Sequence, residues 1–245
     1  MSSIAALKER QLNKRGVVQS VGTDTTVPIR IRHIGQTAAV SVTVNAGTSI
    51  VLVDGDPTTP TNTLAVATYG TVGSMVNAIN ATGNWEAKLL DALSTDTCTG
   101  SYFKTTGGAL AATLDTNGNQ VYNIYASTSV SKAMTVCLTP FRAFDSPRGH
   151  RVHLQEIVYY ETLAGAGAGL FNVYVRGAYA SVPPGTAESK IFSDTSVSAS
   201  KTSYTFSNGF GDITGKDDQE LIVQITDSTM ADQATDYLRI TGVIE

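Results

Sequence analysis

Apolar and polar residues alternate along most of this chain, as they do in half-buried β-strands. Valine and isoleucine alternate with arginine near residues 27–32 and with serine and threonine over 40–44. A short apolar run at 50–53 precedes the turn Asp54-Gly55-Asp56-Pro57. This period of two predicts three strands in the first quarter of the chain, and residues 64–68 fit a fourth.

One internal segment, residues 71–82, has the spacing of an amphipathic helix. Its apolar residues recur at i, i+3, i+4 and i+7, at Val72, Met75, Val76 and Ile79. Thr71 is suited to cap the start of this helix, Asn80 to cap its end, and Gly83 to stop it. Alternation resumes at Trp85, which predicts a strand packed on the helix with Trp85 in the core.

The middle of the chain gives a weaker pattern. Residues 94–119 are rich in Thr, Ser, Gly and Asn, which is typical either of a long loop or of two weak hairpin strands. Strands are predicted at 121–126 and 132–139. Residues 140–149 contain two prolines and a glycine, and we interpret them as a domain junction.

Strand patterns recur every 8–15 residues in the second half. They begin with a long strand at 150–161, in which the apolar positions change face near Gln155 and so predict a β-bulge. Five more are predicted, at 170–176, 191–192, 204–206, 220–226 and 237–244. Such a series, with turn residues between the strands, favours a β-sandwich or jelly roll.

These elements predict a mainly β protein in three parts. Residues 1–20 form an N-terminal arm with a short helix near 3–13. Residues 21–145 form a β-rich domain, an α+β module with one helix at about 71–82. Residues 150–245 form a C-terminal antiparallel domain resembling a β-sandwich or jelly roll.

Composition favours a protein whose surface is covered by neighbours. Charged residues make up only 16% of the chain, against about 25% in typical globular domains, while 42% is hydrophobic. Charge is costly to desolvate and is depleted in interface cores. The net charge of −4 makes nucleic acid a poor partner. Neither a signal-peptide pattern nor a membrane-spanning run occurs, so we expect synthesis in the cytoplasm.

The N-terminal arm is basic and weakly amphipathic. Its candidate partner-binding residues are Ile4, Leu7, Lys8, Arg10, Lys14 and Arg15. The apolar face of its predicted helix is too small to be stable alone, so the helix needs a neighbour, from its own body or from another subunit. We expect the arm to dock on an acidic partner surface; a mobile solvated terminus is the alternative.

The side chains that usually perform catalysis are scarce. The chain has three histidines, and His33 has no obvious Asp or Cys partner in the sequence. His150 and His153 lie near Asp145 and Glu156, which fits either a weak metal site or surface histidines. No nucleophile elbow or phosphate loop is present. We therefore expect no enzyme activity and no catalytic residues.

Oxygen ligands and thiols lead to the same expectation. Asp54, Asp56 and Asn62, and the acidic residues of 212–220, fit either calcium binding or Asx turns, without the spacing of an EF-hand. Two cysteines, Cys98 and Cys137, fit two buried thiols better than a disulfide. No cofactor or metal is predicted.

Residues 38–92 carry a family resemblance. An alternating strand (40–44), a Gly-Thr-Ser-Ile turn into a second strand (47–50), a helix ending in Val-Asn-Ala-Ile-Asn-Ala (76–81) and a further strand follow one another. This order resembles modules of bacteriophage virion proteins and of flagellar hook-associated proteins. The whole chain, with its basic arm and Thr/Gly/Ala-rich strands, resembles structural proteins of tailed phages.

The resemblance implies an auxiliary capsid protein, of the decoration or cement type, that stabilises a phage shell through protein–protein contacts. Its partners would be the major capsid protein or other virion proteins, and it would form a small homo-oligomer located in the virion. A tail, baseplate or fibre component that binds a receptor or carbohydrate is the alternative. A glycosidase is the enzymatic alternative.

Overall fold

The computed structural model describes a chain made mainly of β-strands. The described residues are 14–20, 26–35, 39–45, 47–55, 61–99, 102–127, 134–138, 151–160, 169–176, 188–197, 201–205, 213–214, 220–226 and 237–244. Every strand pair that they form within a sheet is antiparallel. The mainly β prediction is therefore confirmed.

The chain divides into two compact units. Residues 23–130 with 183–187 form the first, and residues 1–22, 131–182 and 188–245 form the second. Most of the first unit is thus inserted in sequence between two parts of the second. We call them the inserted unit and the terminal unit.

Two sheets and two helices make up the inserted unit. One sheet has the order β6-β2-β8-β7 and the other the order β3-β4-β5. The elements are β2 (Ile29–His33), β3 (Ser41–Asn45), β4 (Ser49–Val53), β5 (Asn62–Ala65), α1 (Val66–Tyr69), α2 (Val72–Asn80), β6 (Trp85–Leu89), β7 (Thr113–Leu114) and β8 (Gln120–Ile124).

Alternation places one face of each strand in the core. On β2, Ile29 and Ile31 are fully buried, whereas Arg30 is exposed and Arg32 half-buried. Strands β3 and β4 do the same with Val42, Val44, Ile50 and Leu52. Trp85 is 2% exposed, as predicted from the sequence. These residues form one hydrophobic cluster with the apolar face of α2.

Helix α2 confirms the helical prediction for 71–82. The side chain of Thr71 accepts a hydrogen bond from the backbone N–H of Ser74, and Val72, Met75 and Ile79 are buried. Asn80 does not cap the end as predicted. Its amide group instead hydrogen-bonds both the N–H and the carbonyl of Ala87 in β6, at 2.7 and 3.2 Å. Because β6 is at the edge of its sheet, Asn80 satisfies backbone groups that a neighbouring strand would otherwise bind.

The structure describes two helices in the inserted unit, whereas the sequence predicted one there. The sequence favoured a strand over 64–68, but the strand ends at Ala65 and the four-residue helix α1 follows. The N–H of Val66 donates a hydrogen bond to the carbonyl of Thr48, the residue just before β4. This bond continues the pairing of β4 with β5 by one residue past Ser49 and Ala65. Gly70, with φ of +67°, then ends the short helix.

The described residues of 94–119 are mainly loop, as one alternative predicted, with one short strand instead of a pair of hairpin strands. Strand β7 pairs with β8 through Thr113 and Leu114, and a turn at 115–119 connects them. Further upstream, residues 104–110 run as a loop along the outer edge of β3. Thr106 and Leu110 donate their N–H groups to the carbonyls of Val44 and Val42. This loop covers an edge that would otherwise be open to pairing with another chain.

The terminal unit contains two antiparallel sheets. One has the order β1-β16-β10-β13, with β14 also on β10, and the other the order β12-β11-β15-β9. The strands are β1 (Lys14–Ser20), β9 (Met134–Leu138), β10 (Arg151–Tyr160), β11 (Gly169–Arg176), β12 (Ser189–Val197), β13 (Lys201–Thr205), β14 (Ile213–Thr214), β15 (Glu220–Thr226) and β16 (Tyr237–Ile244). The bulge predicted near Gln155 is confirmed, because the register of β10 on β16 shifts between Leu154 and Glu156.

Two stretches pair differently from the three-part division of the sequence. Residues 14–20, placed in the arm, form a strand paired with β16 along its whole length. Residues 134–138, placed in the first domain, pair with β15 of the terminal unit. Each of these strands pairs with a partner more than 80 positions away in the sequence. Local sequence patterns do not reveal such distant partners.

Candidate functional site

The predicted docking arm is described only at its end. Ile4, Leu7, Lys8 and Arg10 lie outside the described residues, as does the short helix near 3–13. Lys14 and Arg15 are the first residues of β1, opposite Val243 and Gly242 of β16. The backbone of these two basic residues is therefore fixed by the chain's own sheet.

The predicted metal candidates do not come together in the described part of the chain. His153 is in β10, while His150, Asp145 and Asp56 lie outside the described residues. Among the residues described, no group of three His, Cys, Asp or Glu side chains is placed to hold a metal ion.

Neither described helix has the length and apolar character needed to cross a membrane.

Cys98 is a free, buried thiol in the core of the inserted unit. Burial raises the pKa of the Cys98 thiol to about 11. The thiol is therefore protonated at neutral pH and behaves as a small core residue.

His33 has the partner that the sequence did not reveal. Its Nε2 lies 2.6 Å from Oδ1 of Asp54, and the two side chains are 3% and 2% exposed. Asn84 donates a hydrogen bond to the other carboxylate oxygen of Asp54. The expectation of a partnerless histidine was wrong because His33 ends β2 and Asp54 follows β4, and the two sheets of the inserted unit meet at this point.

The His33 imidazole is enclosed on several sides. Its ring stands edge-on to Trp85, with centroids 4.7 Å apart, and Trp85 in turn contacts Tyr122 at 6.0 Å. A Cβ at Gly35 would lie 2.8 Å from Cε1 of His33, so this position has room for glycine alone. In the described part of the chain no serine, threonine or cysteine hydrogen-bonds to His33. The cluster therefore joins the two sheets and does not resemble a nucleophilic triad.

A row of charged side chains covers the outward face of the β6-β2-β8 strands. Arg32 contacts Glu86 across the strand pair and also Asp115, at 3.3 Å. Lys88 lies 3.3 Å from the other oxygen of Glu86. Hydrogen bonds from the Asn119 side chain and backbone, and from Asn117 N–H, lower the pKa of Asp115 to about 2. These mutually neutralising groups make this face a solvated surface.

Residues 105–114, which we call the neutral loop, form a different kind of surface. The segment Thr-Thr-Gly-Gly-Ala-Leu-Ala-Ala-Thr-Leu has no charged residue. All of its residues are exposed except Thr106 and Leu110, which are half-buried, and Leu114 is 72% exposed. The neutral loop is thus an uncharged surface with one exposed leucine, and its desolvation in a contact would cost little free energy.

Beside the neutral loop lies a groove of about 330 Å³. It is lined by Val44, Lys104, Thr105, Thr106, Leu110 and Tyr125. Residues 102–104 run antiparallel to 125–127, with a bridge between Phe103 and Ala126. Because strands alternate, Phe103 and Ala126 point into the core, and Lys104 and Tyr125 lie opposite each other on the groove side.

Sequence reasoning did not single out Lys104 or Tyr125. The two are 21 positions apart in the sequence, and the pairing that joins them is an isolated bridge outside the regular strands. The available signal was the alternation Phe103-Lys104 and Tyr125-Ala126, which marks one buried and one outward residue in each segment.

No protein-family model matches the chain, and no curated protein sequence matches it either.

Proposed function

We propose that this chain is a structural protein of a phage particle, most specifically an auxiliary capsid protein of the decoration or cement type. It would bind the major capsid protein or other virion proteins and form a small homo-oligomer. A bound subunit stabilises the shell by its own binding free energy. This role requires an accessible surface whose burial against a partner lowers the free energy.

The observation that carries this proposal is the exposed, uncharged character of the neutral loop. Desolvating such a loop costs little because it carries no charge, and Leu114 supplies apolar area to bury. The buried side chains support the same conclusion. His33 and Asp54 are used to join two sheets, and the Cys98 thiol is buried and protonated, so these groups serve the fold.

The finer architecture of the terminal unit belongs to the same proposal. We infer that its two antiparallel sheets pack face to face as a sandwich or jelly roll. Val158 of β10 and Val173 of β11 support this arrangement, since each is almost fully buried on a central strand of its own sheet. Sandwiches of this kind leave their loops and outer strands available for contacts with neighbours.

Sedimentation with particles tests the capsid role. Purified chain is mixed with particles from a phage in which its gene is deleted, and bound protein is measured in the pellet. Wild type is expected to pellet, and Leu114→Asp to bind at least about tenfold more weakly because a buried charge is costly. Thr116→Asp, on the exposed turn two residues away, is the matched control. Equal binding by Leu114→Asp and wild type would remove the neutral loop from the contact.

A tail, baseplate or fibre component that binds a receptor or carbohydrate is the second candidate. The groove between Lys104 and Tyr125 favours it, since it combines an aromatic side chain, hydroxyl groups and one positive charge. Such grooves suit small polar ligands better than they suit a flat protein surface.

A further inference from the structure

We propose that the groove lined by Val44, Lys104, Thr105, Thr106, Leu110 and Tyr125 is a binding site for one acidic saccharide unit, a pyranose that carries a carboxylate. The inference rests on the second candidate function, because Thr105, Thr106 and Leu110 belong to the neutral loop that the capsid role would cover. It follows from the groove's size, from the pairing of two side chains and from the distribution of charge.

The groove has the dimensions of a site for a single sugar ring. At about 330 Å³ it is at the lower end of the range for small-molecule sites, roughly 300–1,000 Å³. Its floor is formed by Val44, which is buried, and by Leu110, which packs against the core. Because Val44 belongs to the hydrophobic cluster and Leu110 packs against it, this side of the groove is formed before a ligand binds.

The polar rim fits a sugar with a negative charge. Lys104 and Tyr125 lie opposite each other, fixed by the hydrogen bond from Lys104 N–H to the Tyr125 carbonyl at 2.8 Å. A tyrosine ring accepts the polarised C–H face of a pyranose, and an adjacent ammonium pairs with its carboxylate. Thr105 adds a hydroxyl at the exposed rim.

The charge distribution argues against a phosphate ligand. Lys104 is the one cation among the six lining residues, whereas phosphate sites usually combine several donors with a nest of free backbone N–H groups. Here the N–H groups of Lys104, Thr106 and Leu110 are all bonded to backbone carbonyls. A single carboxylate on a largely neutral, hydroxyl-rich ring matches these contacts better.

Saturation-transfer and chemical-shift NMR on the full chain test the proposal, with methyl glucuronoside as the probe and methyl glucoside as the neutral comparison. The glucuronoside is expected to bind about tenfold more tightly than the glucoside and to shift the amides of Thr105 and Leu110. Lys104→Gln should abolish this preference, so that the glucuronoside and the glucoside bind with about equal affinity. Tyr125→Leu, which keeps an apolar side chain, should weaken both ligands at least fivefold.

Lys88→Gln is the matched control, because Lys88 is a half-buried lysine on the charged sheet face and does not line the groove. Fluorescence of Trp85 verifies that each variant is folded. Absence of glucuronoside binding by wild type, or an unchanged preference in Lys104→Gln, would overturn the proposal. Either result would leave particle sedimentation unaffected, so a failure of this site is distinguishable from a failure of the capsid role.

Discussion

His33 and Asp54 lie 2.6 Å apart although 21 residues separate them, and both side chains are almost completely buried. One ends a strand of the four-stranded sheet and the other follows a strand of the three-stranded sheet. Their hydrogen bond, with the one from Asn84 to Asp54, joins the two sheets of the inserted unit. A histidine that looked isolated in the sequence is thus part of the structural core.

We expect Asp54→Ala to lower the free energy of unfolding of the inserted unit by about 3 kcal/mol, because it leaves the buried His33 and the half-buried Asn84 without their acceptor. Urea denaturation followed by tryptophan fluorescence measures this unit selectively, since Trp85 is the only tryptophan and contacts His33. Asn117→Ala, at an exposed turn, serves as control and should change stability by less than about 0.5 kcal/mol. A loss below 1 kcal/mol for Asp54→Ala would show that the pair is dispensable.

The stability contributed by helix α2 can be tested on two side chains that differ in burial. Ile79→Ala should cost about 3 kcal/mol, because Ile79 is fully buried between the helix and its sheet. Val76→Ala, one turn earlier and half-buried, should cost about 1 kcal/mol. The same urea titration compares them, and equal costs would contradict the assigned face of the helix.

The N-cap of this helix should contribute a smaller amount. Thr71→Ala removes the oxygen that accepts from Ser74 N–H at 3.2 Å and should cost about 1 kcal/mol. Thr71→Ser retains the oxygen and should restore most of the loss. If the serine variant were as unstable as the alanine variant, the methyl group of Thr71 would matter more than its cap.

The lowered pKa of Asp115 predicts that the stability of the fold depends on pH in a defined direction. Its carboxyl has a pKa of about 2 in the folded chain, below the ordinary 3.8, chiefly because Asn119 donates to it. A lowered pKa means that the ionised group stabilises the fold above about pH 4 and that this contribution is lost as the pH falls towards 2. Carboxyl NMR titration should give the low value in wild type and a value nearer 3.8 in Asn119→Ala. An unshifted titration in wild type would contradict the turn geometry.

Pairing of β1 with β16 sharpens the test of the N-terminal arm. Deletion of residues 1–20 removes β1 and opens the edge of β16, whereas deletion of residues 1–13 leaves β1 in place. If the arm docks on a partner, the shorter deletion should reduce particle sedimentation while the chain remains folded by circular dichroism. Full binding by that variant would assign docking elsewhere, to surfaces such as the neutral loop.

Local patterns predicted the elements better than their partners. The period of two on β2 and the spacing of Val72, Met75 and Ile79 identified a strand and a helix, because burial of one face dictates both patterns. The bulge at Gln155 was predictable for the same reason, since an extra residue moves the apolar positions to the other face.

Long-range pairing was not predictable in this way. Nothing near His33 indicates Asp54, and nothing near Lys104 indicates Tyr125, because each pair forms only when separate strands meet. Residues 14–20 and 134–138 were recognisable as extended segments at most, and their assignment to the terminal unit depends on β16 and β15. The candidate groove was missed for this reason.

Immunogold electron microscopy of purified particles, with an antibody raised against the chain, tests the proposal that the chain is a structural component of a phage capsid. A capsid protein should give gold label over the whole shell, and particles of the gene-deleted phage should carry none. Label confined to the tail would favour the second candidate function. Intact particles that carry no label, from a lysate containing the protein, would contradict the claim.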